Sequence, residues 1–294
     1  MPADLAPAPE PSAMASVAAS DPPAAVAVLP SQLLRIPGRP GPIARYEGVI
    51  FGGGTAVIFL VIWQIIAYLR IFPPLFLPGP LDIWNALVAY VEDGSIWPDL
   101  AVSGEELIYG YGLAILVGLP IGLLMGWYRR ANMALDPFVN FMNAMPRIAL
   151  VPLLIIWFGI GIWSKVAVIF LSSIFPILIN TQAGIRNLDA GWVKAAHSFG
   201  ASDLQLFRTV ALPGAIPFIL TGMRIGVGHA LIGVVVGELV AARAGIGLMM
   251  ATAGTSFQTA KVFAGLVIVS SAGVMLVYLI SLVERRFQAW RPRN

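Results

Sequence analysis

Six long apolar stretches follow one another along the chain between residues 48 and 283. Each has room for the roughly 20 residues that a helix needs to cross a bilayer. We therefore predict six transmembrane helices with these approximate bounds: 48–69, 107–127, 138–157, 163–185, 216–241 and 262–283. Pro146 and Pro152 interrupt the third stretch, and a short turn around 159–162 joins it to the fourth as an antiparallel pair. The pattern predicts an all-α polytopic membrane protein.

Small residues recur every four positions in two of these stretches. The series in the second stretch is Gly110, Ala114, Gly118, Gly122 and Gly126, and the series in the fifth is Gly222, Gly226 and Ala230. Small side chains at this spacing allow helix backbones to approach closely in lipid. We predict that both series pack against neighbouring helices.

Composition supports a membrane protein and excludes several other classes. Of the 294 residues, 58% are hydrophobic and 11% are charged, whereas a soluble domain carries about 25% charged residues. The absence of cysteine excludes disulfides, thiol catalysis and Cys-ligated zinc, and two histidines argue against a His-rich metal site. We predict no catalytic, cofactor-binding or metal-binding residue in this chain, no nucleic-acid partner, and membrane lipid around it.

Charge placement orients the predicted helices. With both termini inside the cell, two thirds of the 18 basic residues face the cytoplasm, as the positive-inside rule requires. Four basic residues then lie outside: Arg70, Lys165, Arg243 and Lys261. We predict a bacterial plasma (inner) membrane protein with cytoplasmic N- and C-termini.

The two ends of the chain differ from the rest. Residues 1–45 are rich in Ala and Pro and lack a core-forming pattern, so we expect a disordered cytoplasmic tail there. Residues 286–294 form a basic cytoplasmic C-terminal tail. Between them we expect a first transmembrane helix with its outer loop (46–100) and one transmembrane domain (101–285).

The cytoplasmic segment between the fourth and fifth helices is unusually long and polar. It predicts a short helix at 190–199 that stops at Gly200, followed by a second helix capped by Ser202 with Gln205 completing a capping box. We expect Pro213 and Pro217 to separate this second helix from the fifth transmembrane helix. We call residues 190–211 the elbow, and its form predicts a docking surface for another protein.

The residues of the elbow match a family pattern. The pattern is Glu-Ala-Ala, three residues, Gly, nine residues, Ile, one residue, Leu-Pro, and here the matching positions are Lys194, Ala195, Ala196, Gly200, Val210, Leu212 and Pro213. Every spacing agrees, and the chain resembles the permeases of binding-protein-dependent type I ABC importers over most of residues 100–285. Lys194 stands where the family has Glu, a charge reversal in the contact with the ATPase.

This resemblance implies the fold, the partners and the mechanism. The implied fold is the type I ABC importer transmembrane fold with a coupling helix, and the implied mechanism is alternating access driven by a dimer of separate ATP-binding subunits. ATP and Mg are expected on those subunits, because no lysine here follows a glycine as a P-loop requires. The implied further partners are a periplasmic or lipid-anchored solute-binding protein and a second copy of this chain, with a paired non-identical permease as the alternative.

The likeness is to the subgroup that imports sulfonates, taurine, nitrate and related small anions. It rests on Pro146, on residues 149–153 and 157–161, and on the segments around Asn180, Arg224 and Glu238. The resemblance implies a small anionic solute, and a cationic or neutral heterocycle such as a vitamin precursor is the alternative.

Four polar residues inside the predicted helices are candidates for the translocation path: Asn180, Thr181, Arg224 and Glu238. An ionisable group in mid-bilayer costs about 2.5–3.5 kcal/mol on insertion scales, so such groups are usually buried and functional. Each residue also has a structural interpretation. Asn180 and Thr181 would bond across helices, Arg224 would act as an anchor, and Glu238 would pair with Arg243 or cap an outer gate.

Two other functions compete with the importer permease. A secondary carrier or channel suits the broken third helix but leaves the elbow without a role. An intramembrane enzyme needs an acidic pair, a Ser/His pair or zinc ligands within the membrane, and no Asp lies inside any predicted span.

Overall fold

The computed structural model describes residues 44–287, and their side chains from 51 to 286 apart from residue 241. The predicted tails at 1–45 and 286–294 lie almost wholly outside the described residues. The chain forms two units, residues 1–57 and residues 58–294. The described part of the first unit is the beginning of α1, and all contacts reported below belong to the second unit.

The described residues form eleven α-helices. Their bounds are α1 Ala44–Tyr68, α2 Pro80–Glu92, α3 Ile96–Trp127, α4 Arg129–Ala144, α5 Val151–Phe158, α6 Ile162–Arg186, α7 Ala190–Ser198, α8 Asp203–Leu206, α9 Leu212–Ala241, α10 Ile246–Thr255 and α11 Thr259–Phe287.

Five helical segments are long and apolar enough to cross a membrane: α1, α3, α6, the continuous segment Asp203–Val240 that includes α8 and α9, and α11. A sixth span exists if the bent pair formed by α4 and the segment 147–158 counts as one crossing. This agrees with the prediction of six apolar stretches.

The third predicted span is bent more sharply than the sequence indicates. Its two halves meet at 86°. Met145 has an extended backbone (φ −69°, ψ 134°) because Pro146 disfavours helix at the residue before it. Pro152, by contrast, does not interrupt a helix but lies in the first turn of α5, where its missing N–H costs nothing. The predicted short turn is confirmed, since α5 ends at Phe158 and α6 begins at Ile162.

Three regions are more helical than predicted. α3 begins about eleven residues earlier than expected, and α2 and α10 lie in segments predicted as outer loops. α2 is favoured by Pro80 in its first turn and by Asp82, whose carboxylate accepts from the Gly79 N–H at 2.9 Å. The early start of α3 and the presence of α10 depend on tertiary contacts described below.

The predicted packing of both series of small residues against neighbouring helices is confirmed, and each series forms a seam along which two helices meet. A Cβ added at Gly110 would lie 2.6 Å from Ile169 Cβ, and one at Gly126 would lie 2.6 Å from Ile185 Cβ. In the second seam, a Cβ at Gly222 would lie 2.8 Å from Asn180 Cβ. α6 is therefore packed between α3 and α9, and it is the most buried of the five long helices.

The pairings along the seams give the helix directions. Gly110 faces Ile169 and Gly126 faces Ile185, so α3 and α6 run parallel. Gly222 faces Asn180 whereas Gly237 faces Lys165, so α9 runs antiparallel to α6. The beginnings of α3 and α6 and the end of α9 therefore lie at one end of this core, and the elbow lies at the other.

Adding one methyl group at Gly110 should disrupt this packing. We expect Gly110→Ala to destabilise the protein by about 1–3 kcal/mol, because the new Cβ overlaps Ile169 and lies 3.0 Å from the Val166 carbonyl. Gly112→Ala on the same helix is the matched control, since nothing lies within 4 Å of its added Cβ. Thermal unfolding in nanodiscs measures both variants, and equal melting temperatures would contradict the close approach of α3 and α6.

Candidate functional site

The elbow folds as its local signals predict. The Asp189 carboxylate caps α7 by accepting from the Gly191 N–H at 2.6 Å, and α7 ends at Ser198. Gly200 then adopts φ +76°, which other residues rarely adopt. Ser202 and Gln205 form the capping box, with the Ser202 N–H donating to Gln205 Oε1 at 2.9 Å. The helix–Gly–helix form is confirmed.

The connection from the elbow to the core differs from the prediction. Pro213 and Pro217 do not separate α8 from α9, because a π-helical turn, Phe207–Ala211, joins the two helices. Pro213 lies in the first turn of α9. The wider turn shifts the hydrogen-bond register there and so accommodates the missing N–H. The second arm of the elbow therefore continues directly into α9.

A buried apolar cluster anchors this connection. Ala211, Ala215 and Ile219 pack with Ile185 at the end of α6, and Trp127 and Phe207 stack edge to face beside them. The root of the elbow, where it joins α9, is thus part of the helical core.

The motif residues run from the elbow into the first turn of α9 and separate into two groups. Lys194, Ala195 and Gly200 are exposed, together with Phe199, whose side chain is 92% exposed. Ala196 is half-buried, and Val210, Leu212 and Pro213 are half-buried at the root. The exposed surface of the elbow combines small residues with the aromatic side chains of Trp192 and Phe199.

Asn180 and Thr181 lie in the packing between helices. The Thr181 hydroxyl is fully buried and donates to the Ile177 carbonyl at 2.7 Å, and the half-buried Asn180 amide donates to the Pro176 carbonyl at 2.8 Å. Both hydrogen bonds fall within α6, so neither is the cross-helix bond that the structural interpretation anticipated. Their place on a translocation path stays a prediction.

Arg224 joins α9 to α11. Its guanidinium lies 2.5 Å from Glu284 Oε2, and the Arg224 side chain is 37% exposed. The anchoring interpretation of Arg224 thus has an identified partner, and its place on a translocation path stays a prediction.

Glu238 caps a helix instead of pairing with Arg243. Its two oxygens accept from Ser103 Oγ at 2.6 Å and from the Gly247 N–H at 2.5 Å. The expected pairing with Arg243 is wrong. The first N–H groups of α10 have no acceptor within their own helix, and the Gly247 N–H donates to the buried Glu238 carboxylate instead.

Two residues of α3 complete the cap. The Ile246 N–H donates to Ser103 Oγ at 2.9 Å, and the Gly245 N–H donates to Asp99 Oδ1 at 2.8 Å. Three successive N–H groups at the start of α10 therefore bond to side chains from α3 and α9. We call the residues Asp99, Ser103, Glu238 and 245–247 the outer knot, and it holds the beginning of α3, the end of α9 and α10 together.

Tyr90 of α2 extends the outer knot by donating its hydroxyl to Asp99. Burial raises the pKa of Tyr90, and the hydrogen bond to the Asp99 carboxylate raises it further. The hydroxyl therefore stays protonated and remains a donor at physiological pH.

A buried pair of opposite charges, which the sequence analysis does not predict, lies beside the outer knot. Glu106 of α3 is 1% exposed, Lys165 of α6 is 5% exposed, and Lys165 Nζ lies 3.7 Å from Glu106 Oε1. Lys165 had been placed in the outer segment. The available signal was the presence of two charged residues near the ends of otherwise apolar stretches, at the same end of two parallel helices.

Arg147 lies just after the bend and bonds to both α4 and α6. It donates to the Ser172 carbonyl at 3.2 Å and to Asn143 Oδ1 at 2.6 Å, and it lies over the Phe175 ring. The Ser172 carbonyl is available because Pro176, four residues later in α6, has no N–H to donate to it. Arg147 thus joins the bent segment to α6.

Comparisons with known proteins agree with this architecture. The family model "Binding-protein-dependent transport system inner membrane component" matches residues 118–289. The taurine transport system permease protein of Escherichia coli is 35% identical over 242 residues, which cover 81% of this chain and 88% of the relative. The putative aliphatic sulfonates transport permease protein of Bacillus subtilis is 35% identical over 234 residues, which cover 80% of this chain and 85% of the relative.

A further relative is named for a different substrate. The formylaminopyrimidine transport permease protein of Halalkalibacterium halodurans is 33% identical over 238 residues, which cover 81% of this chain and 94% of the relative.

Solved structures show the same fold. The inward-facing MetNI methionine ABC transporter matches with a TM-score of 0.52 and 21% identity, over 69% of this chain and 97% of that one. An amino acid ABC transporter matches with a TM-score of 0.53 and 19% identity, over 68% of this chain and 98% of that one. With the elbow, the six apolar segments and these matches, the chain belongs to the binding-protein-dependent inner membrane components and is a multi-pass permease of the type I ABC importer family.

Proposed function

We propose that this chain is the membrane subunit of an ATP-driven importer, which moves a small solute by alternating access. The observation that carries the proposal is the elbow, whose small and aromatic residues are exposed at one end while its root is packed into the core between α6 and α9. A docked subunit that moves the elbow would move α9 and its neighbours as a body.

The proposed partner at the elbow is a dimer of separate ATP-binding subunits. ATP and Mg would bind to that dimer, and this chain would need no cofactor of its own. Lys194 is exposed on the elbow at the position of the family's Glu, so we propose that the docking groove of the ATPase presents an acidic group opposite it.

The proposed orientation is supported by the basic residues at the elbow end of the core. Arg129, Arg186, Arg208 and Arg285 lie at helix ends on the elbow side or in the elbow itself. This distribution supports an elbow on the cytoplasmic side with both termini cytoplasmic. The outer knot would then face the side on which a solute-binding protein delivers its cargo.

The proposed cargo is a small sulfonate, taurine, nitrate or a similar anion. Relatives that are named for transport of taurine and of aliphatic sulfonates support this class. The formylaminopyrimidine relative favours the second candidate, a neutral or cationic heterocycle. Asn180, Thr181, Arg224 and Glu238 remain the proposed path residues, and two copies of this chain would enclose the path.

Stimulated ATP hydrolysis tests the proposal. We expect the permease, reconstituted with its ATPase in nanodiscs, to hydrolyse ATP faster when the solute-loaded binding protein is added, because loading favours the conformation in which the ATPase subunits close. Unloaded binding protein is the control. The same rate with loaded binding protein, unloaded binding protein and none would contradict coupling through the elbow.

A further inference from the structure

Arg147 holds a positive charge near the middle of the helical core. Its guanidinium donates to the Ser172 carbonyl at 3.2 Å and lies over the Phe175 ring. These two residues flank Ile174, the central residue of α6. Because an α-helix rises about 1.5 Å per residue, the Ser172 contact lies about 15 Å from the end of α6 opposite the elbow, near the middle of a bilayer.

The charge of Arg147 has no acidic partner among the residues that the structure describes. The other two basic side chains that the long helices hold away from their last turns differ, because Lys165 and Arg224 each lie beside a glutamate. Asp136 is the acidic residue closest to Arg147 along this segment, and its carboxylate accepts from Asn140 instead. A charge at mid-bilayer is costly, so a charge without a counter-ion there indicates a function.

The hydrogen bonding of Arg147 is also incomplete. A guanidinium has five N–H donors, and Arg147 uses three of them. Nη1 donates to the Ser172 carbonyl, and Nη2 donates to the carbonyl and to the side-chain oxygen of Asn143 at 3.1 and 2.6 Å. Nε has no acceptor within the described part of the chain. The fold thus positions the guanidinium with neutral acceptors and leaves its charge available to an anion.

A polar stripe on α4 leads to Arg147. We call Asn132, Asp136, Asn140 and Asn143 the α4 stripe, since residues spaced by three or four positions share one face of a helix. The stripe ends at the Asn143 side chain, which accepts from Arg147.

Two contacts with α6 show how deep the α4 stripe lies. Asn132 accepts from Gln182 near the elbow end of α6, whereas Arg147 donates to Ser172 near its middle. Gln182 and Ser172 are ten positions apart, which is about 15 Å along a helix. The α4 stripe therefore extends from the elbow side of the membrane to mid-bilayer depth.

The α4 stripe is open to its surroundings. No residue of α4 is buried, and Asn140 and Asn143 are exposed. Polar groups that face hydrocarbon lose their hydrogen bonds to water, which is unfavourable at this depth. The exposure of the stripe therefore indicates a water-filled path rather than a lipid-facing surface.

We propose that Arg147 binds the anionic solute at mid-bilayer and that the α4 stripe forms its polar exit towards the elbow side. Oxyanion oxygens would accept charge-assisted hydrogen bonds from the guanidinium, and no carboxylate has to be displaced first. The inference rests on the proposed function, from which it takes the anionic cargo and the orientation. It adds to the path a residue that distinguishes an anion from a neutral solute.

Charge discrimination by the wild-type protein is the first test. The full-length permease with its ATPase is placed in phosphatidylcholine nanodiscs without binding protein, and radiolabelled ethanesulfonate is the probe. We expect saturable binding that unlabelled ethanesulfonate displaces about tenfold or more better than ethyl methyl sulfone, a neutral molecule of similar shape. Equal competition by the two compounds would overturn the proposal, as would the absence of saturable binding.

Two variants assign the binding to Arg147. Arg147→Gln removes the charge and should weaken ethanesulfonate binding about tenfold or more, whereas Arg147→Lys keeps the charge without the planar fork and should weaken it only about threefold. Arg130→Gln, at an exposed arginine near the start of α4, is the matched control and should bind like wild type. Unchanged binding in Arg147→Gln would overturn the proposal. Equal weakening in both Arg147 variants would attribute the loss to the broken anchor and would overturn it too.

Thiol labelling tests the polar exit. The chain has no cysteine, so one introduced cysteine reports on one position. Asn140 lies on the α4 stripe and Phe138 on the opposite face of the helix, and both are exposed. In proteoliposomes, a methanethiosulfonate that carries a sulfonate, added on the elbow side, should label Asn140→Cys about tenfold or more faster than Phe138→Cys, because the reacting thiolate requires water. Equal rates would contradict a water-filled path along the stripe.

Transport assays separate this inference from the proposed function. ATP-driven solute uptake that is unchanged in Arg147→Gln would overturn this inference alone. Ethanesulfonate binding that depends on Arg147, in a permease that takes up solute without its ATPase, would support this inference and contradict the proposed function.

Discussion

Replacing Glu238 with alanine is expected to lower the free energy of unfolding by about 3 kcal/mol or more. The substitution removes the acceptor for two donors, Ser103 Oγ and the Gly247 N–H, and leaves both buried without a partner. It also removes the negative charge at the positive end of α10. The apparent melting temperature, followed by tryptophan fluorescence in nanodiscs, should fall on the order of 10 °C.

The control for this variant is Glu92→Ala, at an exposed carboxylate of α2. Surface substitutions of this kind usually change stability by no more than about 0.5 kcal/mol. If Glu238→Ala and Glu92→Ala unfolded at the same temperature, the outer knot would not stabilise the protein and its assignment as the cap of α10 would be wrong.

Gly200→Asp is expected to abolish association with the ATPase while the permease still inserts into the membrane. Nothing lies within 4 Å of a Cβ at Gly200, so the new side chain meets no clash in this chain. It places an unpaired carboxylate on the proposed docking surface, which costs about 3 kcal/mol or more and corresponds to at least ~100-fold weaker binding. Copurification of the ATPase with the tagged permease measures the effect.

Gly94→Asp provides a closely matched control. Gly94 has φ +75°, close to the +76° of Gly200, and its added Cβ likewise meets nothing within 4 Å. The local backbone strain is therefore the same, but Gly94 lies between α2 and α3, at the opposite end of the core. Equal loss of ATPase from both variants would attribute the effect to strain and would contradict docking at the elbow.

Features encoded by local sequence were predicted well. The elbow depends on Gly200 and on the capping box of Ser202 and Gln205, whose geometry is fixed within a few residues. The seams of Gly110 and Gly222 follow from a four-residue period on one helix face. Both kinds of signal can be interpreted without knowing which helices are neighbours.

Features that join distant segments were missed. The cap of α10 combines Ser103, Glu238 and Gly247, and the hydrogen bond between the first two joins residues 135 apart in sequence. Pairing of Glu238 with Arg243 was expected because a sequence alone suggests partners only among residues that are close along the chain. α3 begins early for the same reason, since Asp99 and Glu106 find partners in other elements and so remain within an apolar helix.

The continuity of α8 with α9 was missed for a different reason. Prolines at 213 and 217 ordinarily indicate a helix break. The π turn at Phe207–Ala211 alters the hydrogen-bond register just before them, and no simple sequence pattern marks such a turn. The consequence concerns function, because a continuous helix connects the elbow to α9 more rigidly than a broken one.

Solute accumulation in proteoliposomes tests the central claim most directly. Liposomes that contain the permease and its ATPase receive ATP on the elbow side and the solute-loaded binding protein on the other, and are compared with liposomes that contain the permease alone. We predict accumulation that requires ATP, ATPase and binding protein together. Equal uptake by the permease alone would show a carrier or channel and contradict an ATP-driven permease.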